Sequence, residues 1–306
     1  MVTSSAPAAI CVDWGTSSFR AYLMDSNGEI IARRESPRGI LTVAAGDHEA
    51  VLAAAVGDWR TGAGAPTILM AGMIGARQGW VEAPYARCPA GLREIAAAMV
   101  TVETARLGGI GLVPGVRGSA PGGAPDVMRG EEAQILGAIA LTDRADGVFV
   151  LPGTHSKWAR VVAGRIASFT TYMTGEAFAA LKQHTILGRL MEGEAEDRAG
   201  FEAGVRAAAG LERPGDLLHA IFMTRTLGLF DQLAPRQLSD YLSGLLIGAE
   251  LVSGAVGVRS AVVIGSPALT ARYCAAGAVL GLALEPAPQD CAPHGLLALL
   301  PHWRAR

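Results

Sequence analysis

The residues best suited to chemistry open the chain, in the run Ile10-Cys11-Val12-Asp13-Trp14-Gly15-Thr16-Ser17-Ser18-Phe19-Arg20. An apolar strand ends at a lone carboxylate, a glycine and three hydroxyls follow, and a second strand-like run begins. Gly15 allows the backbone to pass close to an anion, and successive N–H groups in such a turn form an anion-binding nest. Asp13, at the end of a buried strand, is placed to hold Mg²⁺ directly or through water, because that ion favours one or two carboxylates plus substrate phosphates. The same residues also describe a polar hairpin tip whose aspartate bonds to nearby amides.

A second run repeats the plan. Val148-Phe149-Val150-Leu151-Pro152-Gly153-Thr154-His155-Ser156-Lys157-Trp158 aligns Gly153 with Gly15, Thr154 with Thr16 and Ser156 with Ser18. Leu151 stands where the first copy has Asp13, so only the first half carries a metal carboxylate. The chain reads as duplicated, with two hairpins whose tips would hold a polyphosphate, the phosphate-facing residues being Gly15, Thr16, Ser17, Ser18, Gly153, Thr154, His155, Ser156 and Lys157.

Three further stretches carry chemistry. The irregular residues 71–85 offer glycines for close approach, Arg77 and Gln78 as donors, and Trp80 and Tyr85 as rigid walls, which suits a small polar ligand. They also read as an exposed connection pinned by its aromatics. In Pro125-Asp126-Val127-Met128-Arg129-Gly130-Glu131-Glu132, two carboxylates and an arginine precede an apolar helix. Acidic residues in a first turn complement the helix dipole; a carboxylate there could equally take a proton from an attacking hydroxyl. Adjacent helical residues diverge, so Glu131 and Glu132 are not expected to share one task. Thr174-Gly175-Glu176 reads as a phosphate-proximal turn or as a helix start capped by Thr174. Finally, a buried strand runs into Gly265-Ser266-Pro267, a turn against which a flat purine could lie near a helix N-terminus.

These residues need an α/β scaffold. Strands are expected over 10–12, 19–24, 29–34, 67–70, 110–113, 168–173 and 260–264, and helices over 47–59, 89–100, 192–209, 215–229 and 239–255. A helix following Gly130 runs to Leu141, residues 115–125 form a Gly/Pro-rich mobile connection, and residues 295–303 an apolar closing element. Within the helix over 239–255, Glu250 interrupts an apolar stripe, either at a surface rim or near a nucleotide ribose. At 306 residues, two domains are expected, 1–142 and 143–306. A formal charge of −2 with both signs scattered argues against nucleic acid. No run has the composition of a membrane helix, the nearest being the glycine-rich residues 61–76, and residues 1–9 lack a signal-peptide pattern. The four cysteines, Cys11, Cys88, Cys274 and Cys291, are too dispersed for a zinc site or disulfide framework and fit a reducing cytoplasm.

Taken together, the Asp-x-Gly-Thr grip, its echo and the late Val-Val-Ile-Gly turn resemble the actin-like ATPase superfamily of sugar kinases and heat-shock ATPases. More specifically, Asp13-Trp14-Gly15-Thr16-Ser17-Ser18, Gly72-Met73-Ile74-Gly75 with Gln78-Gly79-Trp80, Met128-Arg129-Gly130-Glu131-Glu132, Leu151-Pro152-Gly153-Thr154-His155-Ser156-Lys157-Trp158 and Met173-Thr174-Gly175-Glu176 look like the 2-keto-3-deoxygalactonate kinase family. The resemblance implies an α/β fold of two ribonuclease-H-like domains with an ATP cleft between them. It also implies phosphorylation of the 6-hydroxyl of 2-dehydro-3-deoxy-D-galactonate by ATP in galactonate and galactose catabolism. By position, Asp13 would serve Mg²⁺, Glu131 would be the catalytic carboxylate with Asp126 in reserve, and Gly265 and Ser266 would meet adenosine. Met73, Arg77, Gln78, Trp80 and Arg129 would meet the sugar acid, an arginine fork suiting its carboxylate. The family's adenosine turn commonly shows paired glycines, and this chain departs from it at Ser266. A homo-oligomer is left open. Another sugar or sugar-acid kinase on the same scaffold, or an actin-like nucleotide switch that transfers no phosphoryl group, are the competing readings.

Overall fold

The computed structural model describes residues 6–60, 64–120, 122–193, 196–213 and 215–304. Residues 1–5 of the N-terminal stretch, 61–63 of the glycine-rich run, 121 of the Gly/Pro-rich connection and 194–195 of the helix expected over 192–209 lie outside them. Internal contacts divide the chain into two units, Met1–Gly147 with Arg160–Phe169 and Pro288–Arg306, and Val148–Ala159 with Thr170–Ala287. This division differs from the expected 142/143 boundary at residues 143–147, 160–169 and 288–306.

In the first unit, β1 (Pro7–Trp14), β2 (Phe19–Asp25) and β3 (Ile30–Ser36) form the opening hairpins. Helix α1 (His48–Val56) leads to β4 (Thr67–Ala71), which pairs parallel to β1. There follow β5 (Tyr85–Arg87), α2 (Leu92–Ala97), β6 (Val100–Thr104), β7 (Gly108–Leu112), β8 (Gly115–Ser119), β9 (Pro125–Met128) and α3 (Glu131–Thr142). The main sheet has the order β3-β2-β1-β4-β7-β6, and β5-β8-β9 form a small second sheet. Alternation along β1 sends Ile10, Val12 and Trp14 into a core shared with Phe19, Leu52, Val56, Ile68, Met70, Ile110 and Leu112.

A second large sheet begins with β10 (Gly147–Leu151), β11 (Ser156–Val162) and β12 (Arg165–Tyr172). After them come α4 (Thr174–His184), α5 (Arg198–Ala209), α6 (Asp216–Leu229), α7 (Pro235–Gly254), β13 (Ser260–Val263), α8 (Pro267–Leu280) and β14 (Ala283–Pro286). Its sheet order is β12-β11-β10-β13-β14, the counterpart, strand for strand, of β3-β2-β1-β4-β7. The central parallel pairs match as well, β1 with β4 and β10 with β13. Helices α5 and α7 cross closely because Gly204 faces the Tyr241 carbonyl and Gly244 the Phe201 carbonyl, positions where any Cβ would collide. The closing helix α9 (Cys291–Arg304) returns to the first unit and packs on α3 through the same device, with Gly137 against Cys291 and Gly295 against Ala133.

Several expected elements change. Helix α2 is shorter than residues 89–100, and Val100 begins a strand paired with β7. The stretch expected to be a mobile connection holds β8 and leads into β9, hydrogen-bonded from Val116↔Met128 to Ser119↔Pro125. Its glycines serve close packing: a Cβ on Gly115 would sit 2.6 Å from the Met128 carbonyl oxygen. No helix of the described residues is long and apolar enough to cross a membrane.

Candidate active site

The first tip is built by strand register and by the residues that follow β3. Asp13 lies opposite Arg20 on β2 and Ala71 on β4. The turn closes with the Gly15 N–H donating to the Ser18 carbonyl at 2.9 Å. It is held from behind: Ile40 N–H donates to Gly15 O at 3.0 Å, and the Trp14 indole N–H donates to Arg38 O at 2.9 Å. Gly39 sits so tightly on Thr16 and Ser17 that no Cβ fits there. Thr16 and Ser17 remain exposed. Gly15 has ordinary space around its missing Cβ and no positive φ, so its value lies in access rather than conformation.

Behind Asp13 stand two further glycines. Gly72, at φ 98° and ψ −160°, ends β4 in backbone space that essentially only glycine occupies. A Cβ there would lie 2.8 Å from Trp14 O and 3.2 Å from Asp13 Oδ1. Gly130, at φ 106°, caps α3, and its own Cβ would lie 3.2 Å from Gly72 Cα. This contact of glycine on glycine brings the start of α3 to the end of β1.

The carboxylates feel the result. Burial raises the Asp13 pKa, Arg20 opposes that with a guanidinium nitrogen 3.6 Å from Oδ2, and Glu131 raises it further. Glu131 accepts the Arg129 N–H at 2.9 Å, and Glu132 takes the Gly130 N–H on both oxygens at 2.9 and 2.8 Å. Glu132 is fully buried, and burial, aided by Glu131, pushes its pKa up to about 8, so it holds its proton at neutral pH. Glu131 and Glu132 accept from different backbone N–H groups, those of Arg129 and Gly130. Asp126 lies on β9 opposite Gly118 and accepts the Val127 N–H at 2.8 Å.

The expected sugar-acid residues differ in exposure and partners. Arg129 stacks over the Tyr85 ring at 4.4 Å and donates from Nη2 to Ala83 O at 2.8 Å, while its buried Nε and Nη1 have no hydrogen-bond partner among the described residues. Arg77 is exposed, 3.5 Å from Glu82, and Gln78 is exposed beside it. Met73 and Trp80 pack on the core, and Trp80 stacks on His48 at 6.0 Å, which makes it part of the wall beneath the loop.

In the second unit, Gly153 has open space where a Cβ would stand, and Thr154 and His155 are exposed. The His155 ring bonds Glu176 at 2.6 Å. Gly175 is fixed as glycine by the Gly153–Thr154 backbone against it, and the Glu176 N–H donates to Thr154 O at 3.0 Å. Ser156 differs from the expectation: it is fully buried, and its hydroxyl donates to Glu250 at 2.6 Å. Lys157 is also buried and donates to His155 O at 2.9 Å. Glu250, expected at a rim or a ribose, is a buried hub that also accepts from Trp158 at 2.9 Å, Tyr273 at 2.6 Å and Thr174. Thr174 is the first helical residue of α4, with Met173 at the cap. The hub locks the second tip to α4, α7 and α8.

Beside that tip lies a pocket of about 320 Å³, a size suited to a small-molecule group. Gly153, Thr174 and Gly175 line one side, Leu246, Ile247 and Leu269 supply apolar surface, and Lys182, Arg236, Ser239, Asp240, Ser243 and Arg272 supply polar groups. Asp240 and Arg272 pair at 2.7 Å. These polar residues were missed in the sequence, although Arg236, Asp240 and Ser243 recur at helical spacing along α7. Gly265 and Ser266 are exposed, Ser266 in extended backbone at the cap of α8, one turn before Leu269.

Among the described residues no group of three or more His, Cys, Asp or Glu is placed to hold a metal ion. Asp13 could still hold Mg²⁺ in the form that needs few protein ligands, because a partly desolvated carboxylate with a raised pKa is relieved by a cation.

Comparison with known proteins gives the family. The chain is 36% identical over 266 residues to a Rhizobium meliloti strain 1021 protein named Probable 2-dehydro-3-deoxygalactonokinase DgoK1, covering 86% of each. It is 34% identical over 275 residues to the 2-dehydro-3-deoxygalactonokinase of Escherichia coli strain K12, covering 89% of this chain and 90% of that one. A crystal structure of a candidate 2-dehydro-3-deoxygalactonokinase from Sinorhizobium meliloti superposes with a TM-score of 0.86 at 34% identity, over 97% of this chain and 98% of that one. The family model described as 2-keto-3-deoxy-galactonokinase matches residues 13–299, and the chain belongs to that family.

Proposed function

We propose that this chain transfers the γ-phosphoryl group of ATP to the 6-hydroxyl of 2-dehydro-3-deoxy-D-galactonate, giving the 6-phosphate, as a step of galactonate and galactose catabolism in the cytoplasm. Family membership across residues 13–299 carries the reading. The matched strand order of the two sheets supports the finer view of two ribonuclease-H-like domains.

In this mechanism the Glu131 carboxylate accepts the proton of the 6-hydroxyl as the new O–P bond forms and the bond from the γ-phosphorus to the bridging oxygen breaks. Burial is the main cause of the raised Asp13 pKa and Glu131 adds to it, a nearness that supports this role over Asp126. Asp13 would hold Mg²⁺, which supplies charge neutralisation at the β- and γ-phosphates. The backbones of Gly15 to Ser18 and of Gly153 to His155 face the phosphates, and Lys157 and Ser156 act from beneath, holding the second tip in shape. Arg129, with two buried unpartnered nitrogens, is favoured over the exposed Arg77 for the substrate carboxylate. Gln78 and Met73 belong to the same loop surface, and Trp80 stiffens it through His48. The pocket beside Gly153 receives the nucleoside, with Gly265 and Ser266 at its approach.

The test is ADP release from Mg-ATP with the galactonate acid, its gluconate epimer, simple hexoses and no acceptor in parallel. Stimulation by the galactonate acid alone is the expected result. Stimulation by another acceptor replaces the substrate, and acceptor-independent hydrolysis favours a nucleotide switch.

A further inference from the structure

The Arg129 side chain is held more closely than an ordinary surface arginine. Nη2 donates to Ala83 O at 2.8 Å, and the guanidinium carbon lies 4.4 Å from the centre of the Tyr85 ring. Nε and Nη1 are buried without a hydrogen-bond partner among the described residues. Buried donors left bare are costly until a ligand meets them, and the ligand that suits a guanidinium is an anion. Tyr85 owes its place to Gly115, its partner in register across β5 and β8. A Cβ on Gly115 would stand 2.6 Å from Tyr85 Cε1 and 2.7 Å from Cδ1, so the ring takes the space that a side chain at 115 would fill.

We propose, on the reading that Arg129 takes the substrate carboxylate, that Tyr85 is a positioning residue for acceptor selection. Seated on Gly115, its ring fixes the Arg129 guanidinium so that Nε and Nη1 are preset for the carboxylate of the sugar acid. A guanidinium stacked on an aromatic ring keeps its planar fork in one orientation, so less freedom is lost when the anion arrives. The same residue ties this anchor to the chemistry. The Arg129 backbone N–H donates to Glu131 at 2.9 Å, so the residue that holds one end of the acceptor also seats the group that takes the proton at the other. Tyr85 thereby favours acids over uncharged acceptors of the same shape.

Steady-state ADP release by the full chain at saturating Mg-ATP tests this, with 2-dehydro-3-deoxy-D-galactonate and its uncharged primary amide as the two acceptors. The readout is the ratio of kcat/KM for acid over amide, which does not depend on the fraction of enzyme that is folded. Arg129→Met should lower the wild-type ratio by at least about 100-fold, because it removes the charge that meets the carboxylate. Tyr85→Leu should lower it about tenfold, through a higher KM for the acid at nearly constant kcat, while Tyr85→Phe, which keeps the ring, should hold it within about twofold. A wild type without acid preference, or an Arg129→Met variant that retains it, overturns the carboxylate reading and this proposal together. A ratio lost in Arg129→Met yet kept in Tyr85→Leu overturns the role of Tyr85 alone, as does a Tyr85→Leu variant that slows both acceptors equally.

Discussion

Replacing Gly72 by alanine should damage stability and turnover together. The residue sits at φ 98° and ψ −160°, a conformation that costs a side-chain-bearing residue about 1–3 kcal/mol. The added Cβ would also lie 2.8 Å from Trp14 O and 3.2 Å from Asp13 Oδ1. Trp14 is fully buried and its carbonyl belongs to β1, so the strand end must move; overpacking of this kind costs about 1–3 kcal/mol more. The sum is about 4 kcal/mol. Gly46 provides the control, with φ 93° and no atom within 4 Å of its would-be Cβ, so alanine there incurs the conformational cost alone. Denaturant unfolding of both variants gives the difference, and acceptor-dependent ADP release gives its consequence at Asp13, where a displacement of about 1 Å can cost 100-fold in rate. If Gly72→Ala were no less stable than Gly46→Ala, or were destabilised with full turnover, the packing of Gly72 between Asp13 and Gly130 would have no part in catalysis.

Three other predictions follow from the same geometry. Glu131→Gln, which keeps shape and removes the proton acceptor, should lower kcat by about 100-fold or more with little change in ATP affinity, while Asp126→Asn stays near wild type; steady-state kinetics of the pair decides between them. Glu250→Gln sets an amide against two of the four donors converging on that carboxylate and should cost about 2–4 kcal/mol in urea unfolding; a loss below about 1 kcal/mol contradicts its place as the hub of the second tip. Because burial holds the Glu132 pKa up near 8, the native state binds a proton that the unfolded chain has already released above its ordinary carboxylate pKa. Stability should therefore fall as pH rises from about 5 to 8, and Glu132→Gln should flatten that slope in unfolding curves taken across the range.

What was legible in the sequence was local. The two hairpins, their glycine turns and the long helices announce themselves because strand alternation and helical spacing are short-range patterns. The repeat of Gly-Thr-x-Ser was readable as a duplication, and the matched sheet orders bear it out. What was hidden depends on partners far along the chain. Ser156 looks identical to Ser18 in its motif, but Glu250, 94 residues later, draws it inward. Strands β8 and β9 were concealed by glycine and proline, residues that usually mark flexible connections and here permit close packing under Tyr85 and Met128. Arg129 was visible as a charge, whereas its stacking on Tyr85 and its two unpartnered nitrogens were not.

The central claim is that a phosphoryl group moves to one hydroxyl of one sugar acid. The most direct measurement is ³¹P NMR of the product formed from Mg-ATP and 2-dehydro-3-deoxy-D-galactonate, with proton coupling used to identify the esterified carbon. The account predicts a phosphate monoester coupled to the two protons of carbon 6, formed in step with ADP. Inorganic phosphate as the only new resonance, or an ester at another carbon, would contradict it.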